Sequence, residues 1–200
     1  MPPDRDLAAF DARASTYETG WLGRLHHDIA DRTATLAMAA CPAPERVLDV
    51  GCGTGYLLRQ LASRFPAACE LAGVDPAPAM VAVATAAVSG DERLSISCAV
   101  AEQLPHPDDT FDLVVSTTSF DHWEDQAAGL AECARVLRPG ATLVLVDQFS
   151  AWLLPTLVGS RRDKARTRAR CERLLAAAGF GAPTWHRCYA LIINAVVATL

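Results

Sequence analysis

The sequence lacks any run of about 18 uncharged apolar residues, the length a helix needs to cross a bilayer. The nearest candidate, residues 141–158, is cut by Asp147 and carries Pro155 near its end, so no membrane span is expected. The opening residues, Met1-Pro2-Pro3-Asp4-Arg5-Asp6, lack the basic and then apolar regions of a secretory signal, which points to the cytoplasm. Seven cysteines form no Cys-x-x-Cys pair and no Cys/His cluster at metal-ligand spacing. They read as reduced, mostly buried thiols, and no metal site is expected. Repeats and low-complexity segments are absent too.

What is present fits a globular chain with a full core: 51% hydrophobic and 20% charged residues in a length of 200. One domain over 1–200 is expected. The net charge of -5 hides an asymmetry. Residues 1–150 hold 10 basic against 21 acidic side chains, whereas 151–200 hold 8 against 2, with seven basic residues between Arg161 and Arg173. A basic run can face nucleic acid, but a solvated helix face is the commoner reading. Here Ala165, Ala169, Leu174, Leu175 and Ala178 leave an apolar stripe that fits such a helix.

Strand-like and helix-like stretches alternate, the pattern of a parallel sheet with crossover helices. Strands are expected at 46–50, 70–75, 94–100, 110–116 and 142–146, and helices at 56–64, 77–88, 126–137 and 162–178. Arg138-Pro139-Gly140 should break the chain between helix and fifth strand, and Gly179 should stop the basic helix. Residues 184–187 and 191–199 leave no room for a crossover helix between them. They should pair as an antiparallel hairpin at one sheet edge. Residues 7–40 read as one or two amphipathic helices, and segment 1–40 is expected to form a lid over a core of 41–200.

Ligands of open parallel sheets bind beyond the carboxyl ends of the strands, so the residues leaving those ends carry the functional signal. After the first strand comes Asp49-Val50-Gly51-Cys52-Gly53-Thr54-Gly55. Gly51 permits a tight turn, Gly53 lets backbone approach a ligand, and Gly55 opens a helix whose amides can hold an anion. The third glycine falls one residue earlier than in the dinucleotide pattern G-x-G-x-x-G, whose last position would be the bulky Tyr56. Asp75-Pro76 ends the second strand, where a carboxylate can accept both ribose hydroxyls of any adenosine cofactor or cap the next helix. After the third strand comes Ala101-Glu102-Gln103-Leu104-Pro105-His106-Pro107-Asp108-Asp109-Thr110-Phe111-Asp112-Leu113-Val114, and after the fourth, Ser116-Thr117-Thr118-Ser119-Phe120-Asp121-His122-Trp123.

D-x-G-x-G-x-G resembles motif I of the class I S-adenosylmethionine-dependent methyltransferases. The Ala101–Val114 stretch is similar to A-E-x-L-P-F-P-D-x-S-F-D-x-V of their type 11 subgroup, which includes many quinone-pathway and small-molecule enzymes. Ser116 to Trp123 resembles that group's segment that opens on Ser and closes on His-Trp, and Phe10-Asp11-x-x-Ala14-x-x-Tyr17 falls in the lid. The resemblance runs from Phe10 to about Val146. It implies a Rossmann-like α/β fold, a seven-stranded mostly parallel sheet with an antiparallel C-terminal edge hairpin and an N-terminal helical lid.

The cofactor it implies is S-adenosyl-L-methionine. Asp49, Gly51, Gly53 and Gly55 would hold the methionine end, Asp75 and Pro76 the ribose, and Met80, Ala101 and Glu102 the adenine. Tyr17 would touch the cofactor from the lid, and Ser116 would stand where the methyl group passes. Just before the Ala101–Val114 stretch, Val100 replaces an Asp that commonly accepts from the adenine amino group.

Methyl transfer from a sulfonium asks the protein mainly to align the nucleophile and exclude water. His122 is the candidate general base, with Asp121 as its partner; the bland alternative is a histidine that packs behind its loop. His26 and His27 lie in the lid, where a surface position competes with one facing substrate. The Asp/Asn-Pro-Pro-aromatic motif for methylating base amines is absent, so a small-molecule acceptor is expected rather than nucleic acid. Trp152, Leu153, Leu154 and Leu157 suggest an apolar wall for a hydrophobic or aromatic acceptor, or alternatively a homodimer interface. Two readings stay beside the methyltransferase: an NAD(P)-dependent oxidoreductase, and a protein that binds S-adenosylmethionine without methylating anything.

Overall fold

The computed structural model describes residues 5–65, 69–149, 167–189 and 193–200. Seven strands, β1 (Arg46–Val50), β2 (Glu70–Asp75), β3 (Leu94–Cys98), β4 (Phe111–Thr117), β5 (Leu137–Gln148), β6 (Thr184–Tyr189) and β7 (Ile193–Thr199), form one sheet. Their order is β3-β2-β1-β4-β5-β7-β6. All pairings among β1 to β5 are parallel; β7 runs antiparallel to both β5 and β6. The expected hairpin is there, with β7 inserted against β5 and β6 left at the edge. Strand order reverses direction between β1 and β4, so their carboxyl ends open the crevice in which such sheets bind ligands.

Burial explains these elements. Val47, Leu48 and Val50 of β1 are each 1% exposed or less, as are Leu113, Val114 and Val115 of β4, so the central strands are covered on both faces. Between β1 and β2, α3 (Tyr56–Arg64) buries Leu57, Leu58, Leu61 and Ala62. Between β2 and β3, α4 (Pro78–Val88) starts with Pro at its first turn and buries Met80, Ala84 and Val88. In α5 (Gln126–Val136), the Asp125 carboxylate caps the N-terminus by accepting from the amides of Ala127 and Ala128.

Two N-terminal helices, α1 (Arg5–Arg13) and α2 (Gly20–Ala40), flank the short turn 14–16. Phe10 and Tyr17 pack with buried Ala14 against Ala77 and Met80. The Asp11 carboxylate accepts from the Ala79 amide at 2.9 Å, capping α4 from another part of the chain. Near the lower end of the sheet, Asp112 accepts from the amides of Glu45 and Arg46 and from Arg138 at 2.6 Å, tying β1 to the start of β5.

Several boundaries differ from expectation. No turn separates α5 from β5: Arg138-Pro139-Gly140 lies inside the strand, with Gly140 at φ +81° and its amide bonded to the Leu200 carbonyl. Pairing with the chain terminus, which lies far along the sequence, absorbs the breaker. β3 ends at Cys98 rather than residue 100. The described part of the basic helix, α6 (Arg168–Ala177), buries Cys171 and Leu175, whereas Ala169 is exposed. Arg168 stacks over the Trp185 ring at 4.9 Å. Its expected beginning at 162 lies outside the described residues. All seven cysteines are free and five are buried. Among the described residues no helix is long and apolar enough to cross a membrane, and no His/Cys/Asp/Glu group could hold a metal.

Asp112→Ala is expected to cost about 1–3 kcal/mol of unfolding free energy, because two backbone donors and one guanidinium lose their shared acceptor. Urea denaturation measures this; a loss below about 0.5 kcal/mol would contradict the role given to Asp112.

Candidate active site

Two cavities open at the carboxyl ends of β1, β2 and β4, one of about 350 Å³ and one of about 70 Å³. Tyr17, Gly51, Gly53, Thr117 and Thr118 line both, so they join at the tips of β1 and β4.

The glycine loop forms the floor. The amides of Gly51 and Cys52 both donate to the Val74 carbonyl, folding the loop back over β2. Gly51 sits at φ +78°, and a Cβ there would overlap the Ser119 side chain. Gly53, at φ +53°, has nothing within 4 Å of the position a Cβ would take. Its missing side chain therefore leaves space in the cavities themselves. Gly55, by contrast, lines neither cavity. It starts α3 in the left-handed region, and a Cβ would stand 3.3 Å from Ala84 on α4, so its smallness serves helix packing.

Asp75 closes β2, 8% exposed. Its Oδ2 accepts from the Gly53 amide and its Oδ1 from the Ala77 amide, both at 2.9 Å. This corrects the helix-cap alternative: α4 begins at Pro78 and is capped by Asp11, while Asp75 braces the glycine loop. Burial pushes the Asp75 carboxyl above its ordinary range, and the two amides partly offset this. Asp49 lies deeper, 2% exposed, and its carboxyl faces the smaller cavity. Among the described residues no protein group hydrogen-bonds to it. Burial, and then the neighbouring Asp75 charge, push it up to about 8.

The N-terminal helices supply the opposite wall. Tyr17 stacks on His26 with ring centroids 4.8 Å apart, and burial raises its hydroxyl pKa and lowers that of the His26 imidazole. His27 stacks on Tyr56 at 3.8 Å. Both histidines therefore line the smaller cavity rather than the surface. Glu18 pairs with Arg59 of α3 at 3.0 Å, and Arg59 also donates to the Thr54 carbonyl. Burial pushes the Glu18 carboxyl upward, but hydrogen bonds from Thr54 and Arg59 outweigh it and leave the group below its ordinary range.

Pro76, Met80, Ala101 and Glu102 line the larger cavity, as does Val100, which is exposed. The stretch after Glu102 is held from behind. Arg135 donates to the carbonyls of Leu104 and His106 and pairs with Glu132 and Asp108. His122 lines the same cavity, its ring 5.0 Å from Phe10 and edge-on to it. Asp121 does not line it; its amide donates to Asp147 Oδ2 at 3.0 Å. Ser116 lies one step inside β4, fully buried, and lines neither cavity.

Residues 48–145 match the family model described as a methyltransferase domain. Over these residues the chain is similar to this family. It is 33% identical over 178 residues to a probable tocopherol O-methyltransferase, chloroplastic, of Oryza sativa subsp. japonica, covering 78% of this chain and 49% of that one. It is 40% identical over 118 residues to a demethylmenaquinone methyltransferase of Deinococcus radiodurans, covering 58% and 48%. The chain thus spans about half the length of these curated relatives. Among solved structures, a SAM-dependent methyltransferase from Aquifex aeolicus superposes with a TM-score of 0.74 at 20% identity, covering 98% of this chain and 99% of that one. The [4+2]-cyclase SpnF superposes at 0.70 with 22% identity, over 84% and 80%. These likenesses establish the class I methyltransferase fold.

Within that fold, sequence reasoning missed Thr117 and Thr118, which line both cavities, and Asp147. Thr118 adopts φ +53°, uncommon for a β-branched residue and costing of order 1–3 kcal/mol, held by its amide bond to the Val146 carbonyl. Asp147 is 4% exposed, and burial pushes it up to about 6 against the amides of Gln148 and Asp121. Its only sequence signal was a charge interrupting an apolar run.

Asp49 makes a pH prediction. A carboxyl near 4 in the unfolded chain and about 8 in the fold keeps a proton that the unfolded chain loses, so stability falls as pH rises from about 4 to 8. Asp49→Asn is expected to flatten this slope. Thermal melts from pH 5 to 8.5 test it; an unchanged slope in the variant would contradict the assignment.

Proposed function

We propose that the protein transfers a methyl group from S-adenosylmethionine to a small-molecule acceptor of apolar or aromatic character. The observation that carries this reading is the buried Asp49 carboxyl, facing a cavity with no protein partner. A buried ionised carboxyl needs an opposite charge or hydrogen-bond donors, and the ammonium of an amino-acid moiety supplies both. Beside it, the empty space at Gly53 lets a ligand lie against the backbone, and Asp75 lines the larger cavity. Asp75 has both oxygens engaged by amides, but each keeps a lone pair for a ribose hydroxyl.

Residue by residue, Asp49, Gly51, Gly53 and Tyr17 would hold the methionine end, Asp75 and Pro76 the ribose, and Met80, Ala101 and Glu102 the adenine. Gly55 acts through helix packing, and Thr117 and Thr118 take the place that Ser116 was expected to fill. The cofactor supplies an electrophilic methyl on a sulfonium. This chain aligns the acceptor in line with it and keeps water out with Phe10, Tyr17 and Trp123. As the acceptor gains the methyl and the methyl–sulfur bond breaks, an acceptor hydroxyl or acidic carbon must lose a proton. His122, at the cavity wall, is the residue in position to take it. Asp121 is the partner proposed for His122, and behind this turn the buried Asp147 carboxyl accepts from the Asp121 amide.

Two of the relatives are named for small, largely apolar acceptors, tocopherol and demethylmenaquinone, while others are named for malonyl-[acyl-carrier protein]. The residues proposed as its apolar wall, Trp152, Leu153, Leu154 and Leu157, lie outside the described residues, as does the homodimer alternative built on them. Soluble placement in the cytoplasm without nucleic-acid partners belongs to the same proposal.

Calorimetry with S-adenosylmethionine, S-adenosylhomocysteine and NAD tests the cofactor. The two sulfur compounds should bind and NAD should not; binding of NAD alone would overturn the reading. Gly53→Val is expected to weaken binding of S-adenosylhomocysteine by 100-fold or more, with the fold retained by circular dichroism. Unchanged affinity would contradict the close approach at this residue. His122→Ala should lower turnover by about 10²–10⁴ with a hydroxyl or carbon acceptor while leaving cofactor affinity unchanged.

A further inference from the structure

Adenine presents a donor, its exocyclic amino group, and a site that selects adenine over related bases must offer an acceptor there. Val100 cannot. Its side chain has no polar atom, and the residue is 45% exposed where it lines the larger cavity. The β2–β3 register sets Asp75 beside Cys98, and the Ala99 amide donates to the Asp75 carbonyl. The segment that follows, Ala99 to Glu102, therefore lines the cavity on the β3 side of Asp75.

Three carboxylates line this part of the cavity: Glu102, Glu124 and Asp125. Asp125 is exposed, and its Oδ1 is engaged by the first two amides of α5. Glu124 is exposed as well. Glu102 is half-buried, and its Oε1 is fixed by the Asp125 amide at 2.9 Å. No protein donor reaches Oε2 among the described residues. One oxygen thus anchors the side chain and the other remains an acceptor, on a residue whose neighbour Ala101 is buried and whose following chain is clamped by Arg135. Such a preorganised acceptor loses little entropy when a ligand donor arrives.

We propose that Glu102 reads the adenine amino group, supplying from the position two residues later the acceptor that Val100 lacks. This rests on the S-adenosylmethionine reading above. Glu102 is then a specificity-determining residue: it favours a base with a donor at the six-position and disfavours one with a carbonyl there, whose oxygen would face the carboxylate.

The exchange of donor for acceptor gives a test that a merely structural role would not pass. S-adenosylhomocysteine and S-inosylhomocysteine, which differ at the six-position, are titrated calorimetrically into the wild-type protein and into Glu102→Gln, Val100→Asp and Asp125→Asn. Wild type should prefer the adenosyl compound by about tenfold or more. In Glu102→Gln the amide oxygen can keep the bond to the Asp125 amide while the NH2 group faces the ligand, so the preference should fall to near unity or invert. Asp125→Asn should retain the wild-type preference, and Val100→Asp should tighten adenosyl binding less than threefold because an acceptor is already present. A wild-type preference that survives Glu102→Gln overturns the proposal, as does a tenfold gain in Val100→Asp. If neither compound binds wild type, the cofactor reading itself fails; if both bind but Glu102→Gln changes nothing, only the role of Glu102 does.

Discussion

The Asp75 carboxylate is the fastening on which the site depends. One oxygen holds the Gly53 amide and the other the Ala77 amide, so a single side chain joins the glycine loop after β1 to the turn that begins α4. Beside this fastening lies Asp49, which burial and then the Asp75 charge push up to about 8. Two acidic groups with no cation between them form a poor interior on their own. In the function proposed above they receive a ligand that carries a cation and a diol.

The remaining elements serve to keep that receptor shaped. Asp11 caps α4 from the first helix, Glu18 reaches Arg59 on α3, and Phe10 with Tyr17 packs on Met80, so the N-terminal helices are fixed to both walls of the cavity. On the far side Arg135 holds the Leu104 to Asp108 turn, and Glu102 holds the start of α5. The A-E-x-L-P stretch thus gives the cavity Ala101 and Glu102 and gives Arg135 carbonyls to bind.

Much of the fold was legible because its central elements are locally decided. β1, α3 and β2 occupy the residues expected of them, since buried runs of Val and Leu are broken by Gly51 and by residues that cap or stop helices. The placement of Asp49, Gly53 and Asp75 at the cavities was legible because each leaves or ends a strand at its carboxyl end. The site was less so where meaning came from contacts distant in sequence. Gly140 reads as a breaker until Leu200 pairs beside it, and Gly55 reads as a ligand contact until Ala84 is found against it. Ser116 differs from Thr117 and Thr118 only by where β4 ends, and the unusual backbone at Thr118 has no composition signal. His26 and His27 look like surface residues until Tyr17 and Tyr56 cover them.

The most direct measurement of this account is a crystal structure with S-adenosylhomocysteine bound. The account predicts the ligand's ammonium within hydrogen-bond reach of Asp49, directly or through one water, and its ribose hydroxyls on Asp75, with the Gly53 and Ala77 amides still bonded to that carboxylate. A ligand seated elsewhere, or one that displaces Asp75 from the glycine loop, would contradict it.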